Sequence, residues 1–354
     1  MRRILPLHLA ITFGVLALAA CGEDRLPTQP DTAGDPAPAA SSFALASNSW
    51  TAKAPMAGPF NNSLAAGVAP KSAGQSIVYT FGGVSDDEGG TGGVIQAYNV
   101  TTNTWTSKTS RVFVYDLNGV VKIGSRLYFS GGRARDFEGG MPSSPATWAY
   151  DYTNDRLIRK ADMPKATSQG VSGVIDGKMY VLPGECDGSG WPYPGYCDHP
   201  AIRQLFRYDP ATNTWVARKS APHYHRRGAG GVLGGKFYVA GGLDDRGLGT
   251  ANLDAYDPAT NTWRARAPLP TAGPAIGTVL GSKLFVIVGF GSERRAYAYD
   301  PATNAWKARA VPTWNHPAVV RVTLDGVAHL LAVGGQHDAG GFFGEPNNSE
   351  LYTR

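Results

Sequence analysis

Little of this chain is charged, and almost none of it is cysteine. Asp, Glu, Lys and Arg make up 17% of its 354 residues, and the cysteines are three: Cys21, Cys186 and Cys197. Beyond "HRR" and "ERR" no basic cluster occurs, so the electrostatic footprint of a nucleic-acid binder is missing. Close-set metal ligands are also absent, apart from the bare H-x-H of His223 and His225, and no metal or cofactor is expected. Long apolar runs stop after residue 20. What is abundant is glycine, 45 residues, with 25 prolines, and between Gly-rich breaks lie short runs of Val, Tyr and Phe. That is the composition of a turn-dense all-β protein.

Residues 1–20, "MRRILPLHLAITFGVLALAA", combine two arginines, a short apolar run and small residues at the end. This is the pattern of a secretory signal, and the run is short for a spanning helix, which needs about 20 apolar residues. Its removal takes away Arg2 and Arg3 and lowers the net charge from +5 to +3. Leu18-Ala19-Ala20-Cys21 resembles the bacterial lipobox, and the resemblance implies that Cys21 is acylated and becomes the mature N-terminus. Gly22 and Glu23 do not look like an aspartate-led inner-membrane retention signal, so the outer membrane or the cell surface is expected. Residues 22–47 are rich in Pro, Ala, Asp and Ser without periodicity, and read as a flexible linker. Cys186 and Cys197 lie in one Gly/Pro-rich stretch, where export permits a disulfide; metal binding or a reactive pair is the alternative.

From residue 48 onward the chain repeats itself. "AYNVTTNTW" (97–105), "RYDPATNTW" (207–215), "AYDPATNTW" (255–263) and "AYDPATNAW" (298–306) are variants of one phrase. Tyr98, Tyr150, Tyr208, Tyr256 and Tyr299 are each followed seven residues later by Trp105, Leu157, Trp215, Trp263 and Trp306. Upstream of each lies an apolar strand ending near a glycine pair, as in "SIVYTFGG" (76–83), "SRLYFSGG" (125–132) and "GKFYVAGG" (235–242). The unit is roughly 50 residues, a period that signals a propeller or solenoid. It resembles the kelch repeat, whose four-stranded blades carry a Gly pair, a Tyr and a Trp. The departures are Gly184-Glu185 and Gly289-Phe290 at the second glycine, and Leu157 for tryptophan.

The ends set the blade count. "SNSWTAKAP" (47–55) looks like a fourth strand with nothing before it but linker, and "SELYTR" stops where a Trp strand should follow. The N-terminal strand is therefore expected to complete a sixth blade, closing an all-β, six-bladed propeller over 48–354 and hiding its edges. In the phrase itself, Pro presets φ at the first turn position, Asp accepts from backbone N–H groups, and Asn tolerates a left-handed conformation. The Tyr and Trp tips are expected to find partners in the glycine-rich turns.

In such a blade the turns between strands 3 and 4 are short and uniform, whereas the loops between strands 2 and 3 are long and unlike one another. Variable loops on a rigid scaffold are where binding lives, so the 2–3 loop face with its inter-blade links is the candidate site. It offers Arg133 and Arg135, Trp191 and Tyr193 in the cysteine-bracketed loop, Asp244 and Arg246, and His337. The links add His223, His225, Arg226 and Arg227 in "HYHRRG", and Trp314 and His316 in "TWNHP". Aromatic rings beside Arg, Asp and Asn suit a sugar, and suit a protein surface equally. The chain also resembles the six-bladed kelch sialic-acid epimerase of bacterial periplasms, which implies an Arg- and acid-lined channel and a carboxylated sugar. Glu138, Glu185 or Asp244 would then serve as acid or base. The expectation is a monomeric, lipid-anchored binding module for a glycan or a protein, with a carbohydrate epimerase or mutarotase as the alternative.

Overall fold

The strands come in fours because each repeat holds four short β-forming runs separated by turn residues. The computed structural model describes residues 47–56, 64–72, 75–83, 93–134, 142–186, 202–313, 317–335 and 349–354. The signal segment, Cys21 and nearly all of the linker lie outside them. Six antiparallel four-stranded sheets form the blades of a propeller. The second, for example, runs through Val120–Ile123, Arg126–Ser130, Thr147–Asp151 and Arg156–Lys160. The fourth runs through Ala229–Leu233, Lys236–Ala240, Leu253–Asp257 and Thr262–Ala265.

The sixth blade takes three strands from the C-terminus and its last, Ser49–Lys53, from the N-terminus. Trp50 pairs with Tyr352 there as Trp263 pairs with Tyr256 in the fourth blade, so the two ends of the chain complete one repeat between them. Ring closure by an N-terminal strand is thus as the sequence predicts.

Apolar side chains fill the spaces between neighbouring blades. Phe81 of the first blade meets Phe129 of the second with ring centroids 4.9 Å apart. The six blade tyrosines, Tyr98, Tyr150, Tyr208, Tyr256, Tyr299 and Tyr352, are among the largest fully buried side chains. The first strands of the blades crowd the axis, and there glycine is a requirement of space. A Cβ on Gly67 would come within 2.5 Å of Val120, and one on Gly231 within 2.7 Å of Val279.

Two details differ from the sequence-based picture. In the third blade Gly184 occupies the second glycine position, since Glu185 bridges Ser168 as Leu243 bridges Arg226 after the intact pair Gly241-Gly242. The residue displaced is the first glycine, by Pro183. The aromatic tips also go elsewhere than the glycine turns. In blades one to five the tyrosine hydroxyl donates to the Asn or Asp five residues on, from Tyr98 to Asn103 at 2.6 Å and from Tyr256 to Asn261 at 2.7 Å, and in the sixth Tyr352 donates to Asn48 at 2.9 Å. Each tryptophan Nε1–H reaches the preceding blade's tail, from Trp215 to the Ala161 carbonyl at 3.0 Å and from Trp263 to that of Lys219 at 2.8 Å. The Asn accepts a second bond from that same tail, as Asn261 does from the Lys219 N–H at 3.0 Å. Asn103, Asn213, Asn261 and Asn304 all have φ between 52° and 55°, the left-handed conformation that Asn tolerates. The repeated phrase is therefore a seam between blades as well as a turn within one.

Candidate functional site on the face of the 2–3 loops

Strand 2 ends and strand 1 begins at the same end of each blade, so the 2–3 loops and inter-blade links share a face. Links and loops are knitted by isolated bridges: Tyr115 with Arg133, Ser168 with Glu185, and Arg226 with Leu243. The residue after each bridging link position takes a positive φ, 53° at Asp116, 55° at Gln169 and 56° at Arg227. This turns three unlike side chains from three successive blades toward the channel. Their backbones form a chain around it. Arg227 N–H donates to the Gln169 carbonyl at 3.0 Å, and Gln169 N–H to that of Asp116 at 2.8 Å. Their side chains repeat the pattern, with Arg227 Nε donating to Gln169 Oε1 at 2.9 Å and Gln169 Nε2 to Asp116 Oδ2 at 2.8 Å.

Beside this chain lies an ion-pair network. Glu185, 7% exposed, receives Arg133 on one oxygen and Arg226 on the other, the latter at 2.6 Å. Burial works against the charge of Arg133, but Glu185 more than reverses that and holds its pKa above the ordinary arginine value. A cavity of about 450 Å³ is lined by Tyr115, Asp116, Arg133, Gln169, Glu185, Arg226, Arg227 and Leu243. It carries three guanidinium groups against two carboxylates, a net of one positive charge.

Asp116, Gln169 and Arg227 are shared with a second cavity of about 440 Å³ running down the channel between the first strands. Its opposite side is apolar, with Leu64, Phe290 and Pro317. The mouth of the channel is thus polar on the side of blades two to four and apolar across from them. Phe113, Leu248, Phe290 and Val311, four of the six exposed large apolar residues among the described ones, also lie in these links and loops.

The expected site residues fall into three groups. Arg133, Arg226 and Arg227 come together at the cavity. His223, His225, Asp244 and Arg246 stand apart from it. Both imidazoles bond to Asp254, which is fully buried on the third strand of blade four. Burial of Asp254 favours its neutral form, and the two imidazoles outweigh this to hold its pKa below the ordinary carboxylate value. Asp244 holds its own loop, accepting the N–H groups of Arg246 at 2.9 Å and Leu248 at 2.8 Å, while the Arg246 side chain is largely exposed. Arg135, Trp191, Tyr193, Trp314, His316, His337 and Cys197 lie outside the described residues, as does Glu138. Cys186 is buried directly after Glu185.

The sequence-based list omits Asp116 and Gln169, and it takes Glu185 for a possible acid or base. With each of its oxygens occupied by an arginine, Glu185 is held as an ion-pair anchor. The signal that finds the missing pair is small: Gln169 and Arg227 directly precede a glycine and a first strand, and Asp116 stands one turn earlier in "YDLNG". Among the described residues no cluster of His, Cys, Asp or Glu is arranged to hold a metal ion.

The Kelch motif family model matches residues 226–270, from the link arginines through the last strand of blade four. Kelch-like protein terF of Aspergillus terreus is 24% identical over 225 residues, which is 61% of this chain and 48% of that protein. Human Kelch-like protein 38 is 26% identical over 130 residues, 37% of this chain and 20% of that one. The chain therefore spans less than half the length of these curated relatives. Among solved structures, YjhT matches with a TM-score of 0.63 at 18% identity, covering 81% of this chain and 93% of that one, a likeness of fold.

Proposed function

We propose that this kelch-type β-propeller, a fold of binding and scaffold modules, binds a glycan or a protein at the channel mouth on its 2–3 loop face. One observation carries the proposal. Three successive blades with unlike loops converge there on a single hydrogen-bonded array, Arg133–Glu185–Arg226 beside Arg227–Gln169–Asp116. Planar guanidinium groups match carboxylates and vicinal hydroxyls, and the apolar side opposite, with Leu64 and Phe290, gives a ring or an aliphatic side chain a surface to lie on. The test is a glycan array probed with the chain and with its Arg226→Ala/Arg227→Ala variant. Sugars retained by the first and lost by the second support the glycan. An array on which neither form gives signal removes the glycan and leaves a protein ligand.

The same proposal places the propeller at the bacterial cell envelope, exported by residues 1–20 and anchored through lipid on Cys21, with the outer membrane preferred. Cys21→Ser should then free the protein from membranes; a variant still in the membrane fraction would remove the anchor. Export also permits the Cys186–Cys197 disulfide.

A carbohydrate epimerase or mutarotase is the second reading, and one arrangement favours it. His223 has a side chain 41% exposed, its Nδ1 is 3.0 Å from the buried Asp254 carboxylate, and its Nε2 has no partner among the described residues. A buried carboxylate that orients an accessible imidazole is how general bases are set up. Faster interconversion of sugar anomers by NMR, lost in His223→Ala, would favour this reading over binding alone.

A further inference from the structure

Blades four to six use one position, two residues before the blade tyrosine, to fasten the link arriving from the blade before. In the fifth blade the Tyr297 hydroxyl lies 2.9 Å from Thr271 Oγ1. In the sixth, Glu350 accepts the Thr313 N–H at 2.8 Å. In the fourth blade the position is Asp254, and what it holds is the link that carries Arg226 and Arg227. Its carboxylate takes His223 Nδ1 at 3.0 Å and His225 Nε2 at 3.0 Å. His225 is 1% exposed, and its other nitrogen, Nδ1, lies 2.8 Å from the Gly241 carbonyl oxygen.

That last contact has a chemical consequence. A backbone carbonyl only accepts, an ionised carboxylate only accepts, and a neutral imidazole has one N–H to give. Both His225 contacts are hydrogen bonds only when the cluster holds one proton more than a neutral imidazole beside a carboxylate supplies. Without that proton a ring lone pair faces an oxygen lone pair in a site closed to water, where an unmade bond is costly.

We propose that His225 and Asp254 form a proton-held clamp, a pair of positioning residues that keeps Arg226 and Arg227 at the channel mouth and releases them as pH rises. The inference rests on the binding-face reading for its consequence, since those arginines belong to that site, but the clamp is testable with no ligand present. The groups facing the imidazole are Asp254 from the third strand, with His223 on the same carboxylate, and the backbone of Gly241. The link's own charges turn elsewhere, Arg226 to Glu185 and Arg227 to Gln169, and Asp244 in the adjoining loop is taken by Arg246. Directly after His225, Arg226 exchanges both backbone bonds with Leu243, at 3.2 and 2.7 Å, and Arg227 N–H donates to Gln169. Loss of the clamp therefore reaches these amides first. The sign follows from the geometry: the clamp is closed on the acid side of the imidazole's titration and open on the alkaline side.

The experiment joins two measurements on the chain between about pH 5 and 8, the span in which an imidazole changes charge. With histidine labelled by 15N, both ring nitrogens of His225 should carry protons while the clamp is closed. Hydrogen exchange read by mass spectrometry should show protection at residues 225–228 falling about tenfold as that proton leaves, a local opening. The equivalent link around Ser168 and Gln169 should hold its protection. Asp254→Asn is the decisive variant. An amide at 254 can donate to His225 Nε2 and still accept from His223, so no extra proton is needed, and its protection should be flat with pH. A His225 that is neutral throughout, protection at 225–228 that does not change with pH, or an Asp254→Asn protein that keeps the wild-type response would each overturn the clamp. A chain that passes these tests and retains no glycan or protein keeps the clamp and loses only the binding reading.

Discussion

The two ends of each blade follow opposite rules. At the 3–4 end, Tyr, Asn and Trp recur in five of the six blades, and the tyrosine hydroxyl, the Asn oxygen and the indole N–H are spent on a turn or on the neighbouring blade. At the 2–3 end no two blades match, and side chains from three of them meet in a cavity of about 450 Å³. The difference shows how a uniform frame and a variable face are kept apart on one scaffold. The repeated end closes the ring in six steps, five of them built alike, which leaves the other end free to vary without loosening the fold.

Changes at the repeated end should therefore be costly to stability. Tyr256 is fully buried, packs tilted at 50° against Trp263 with ring centroids 5.1 Å apart and donates to Asn261. Truncating such an aromatic costs about 3–5 kcal/mol, so Tyr256→Ala should lower the urea midpoint markedly. Asn261→Ala loses two bonds and places Ala at a φ of 53°, and about 2 kcal/mol is expected. If Asn261→Ala unfolds no more readily than wild type, the seam is not what holds neighbouring blades.

The cysteine-bracketed loop stands between the two ends, since it belongs to the variable face and is expected to be stapled. A disulfide closing about a dozen residues contributes roughly 3 kcal/mol in the chain-entropy model, so Cys186→Ser should destabilise to about that extent. The cost should vanish under reducing conditions. Equal stability of the oxidised wild type and the variant would show that Cys186 and Cys197 are not joined.

On the variable face the expected effect on stability is smaller. Arg226→Ala leaves Glu185 paired with Arg133, and Arg227→Ala removes a largely side-chain contact to Gln169. The double variant should lose about 2 kcal/mol, the contribution of a hydrogen bond to a charged group, because Glu185 keeps Arg133 and is not left unpaired. A loss as large as that of Tyr256→Ala would mean that these arginines hold the ring together and do not serve a ligand.

How much of this was legible in the sequence follows the same division. The blades, their number and the N-terminal strand of the sixth were readable because Tyr, Asn and Trp keep a constant spacing, and because Trp50 stands alone at one end while Tyr352 lacks its tryptophan at the other. The seam itself was not, because Trp263 bonds to Lys219, 44 residues away, and such pairing has no local signature. The site was half legible. Arg133, Arg226 and Arg227 stood out by charge in unlike loops, whereas Asp116 and Gln169 are ordinary residues brought to the candidate site by a positive φ next to the bridged link positions. His223 and His225 looked like surface ligands in H-x-H, yet Asp254, which organises them, lies some thirty residues on inside a strand (31 and 29 positions away).

The smallest predicted effect tests the seam where it departs from its own rule. Between blades one and two, Asp155 stands for Asn and Leu157 for Trp, so a carboxylate accepts the tyrosine and tail N–H bonds that the amide oxygen accepts elsewhere and adds the Thr109 hydroxyl, while leucine has no N–H to make the indole's bond. Asp155 receives the Thr109 N–H at 2.8 Å, the Thr109 hydroxyl at 2.6 Å and the Tyr150 hydroxyl at 2.9 Å. Burial raises its pKa, and these donors lower it by more, to about 2. An unperturbed aspartate titrates near about 3.9, so the stabilisation is complete above that value and is lost as pH falls toward about 2. Asp155 is half-buried, and the solvent that still reaches it screens the charge and keeps the contribution small. Asp155→Asn keeps an oxygen to accept from Thr109 and Tyr150 and removes the titration. Its melting temperature should match wild type near neutrality and fall less steeply below about pH 4. A variant with the wild-type acid slope would place the acid sensitivity elsewhere, with buried Asp254, whose lowered pKa carries the same sign, as the next group to replace.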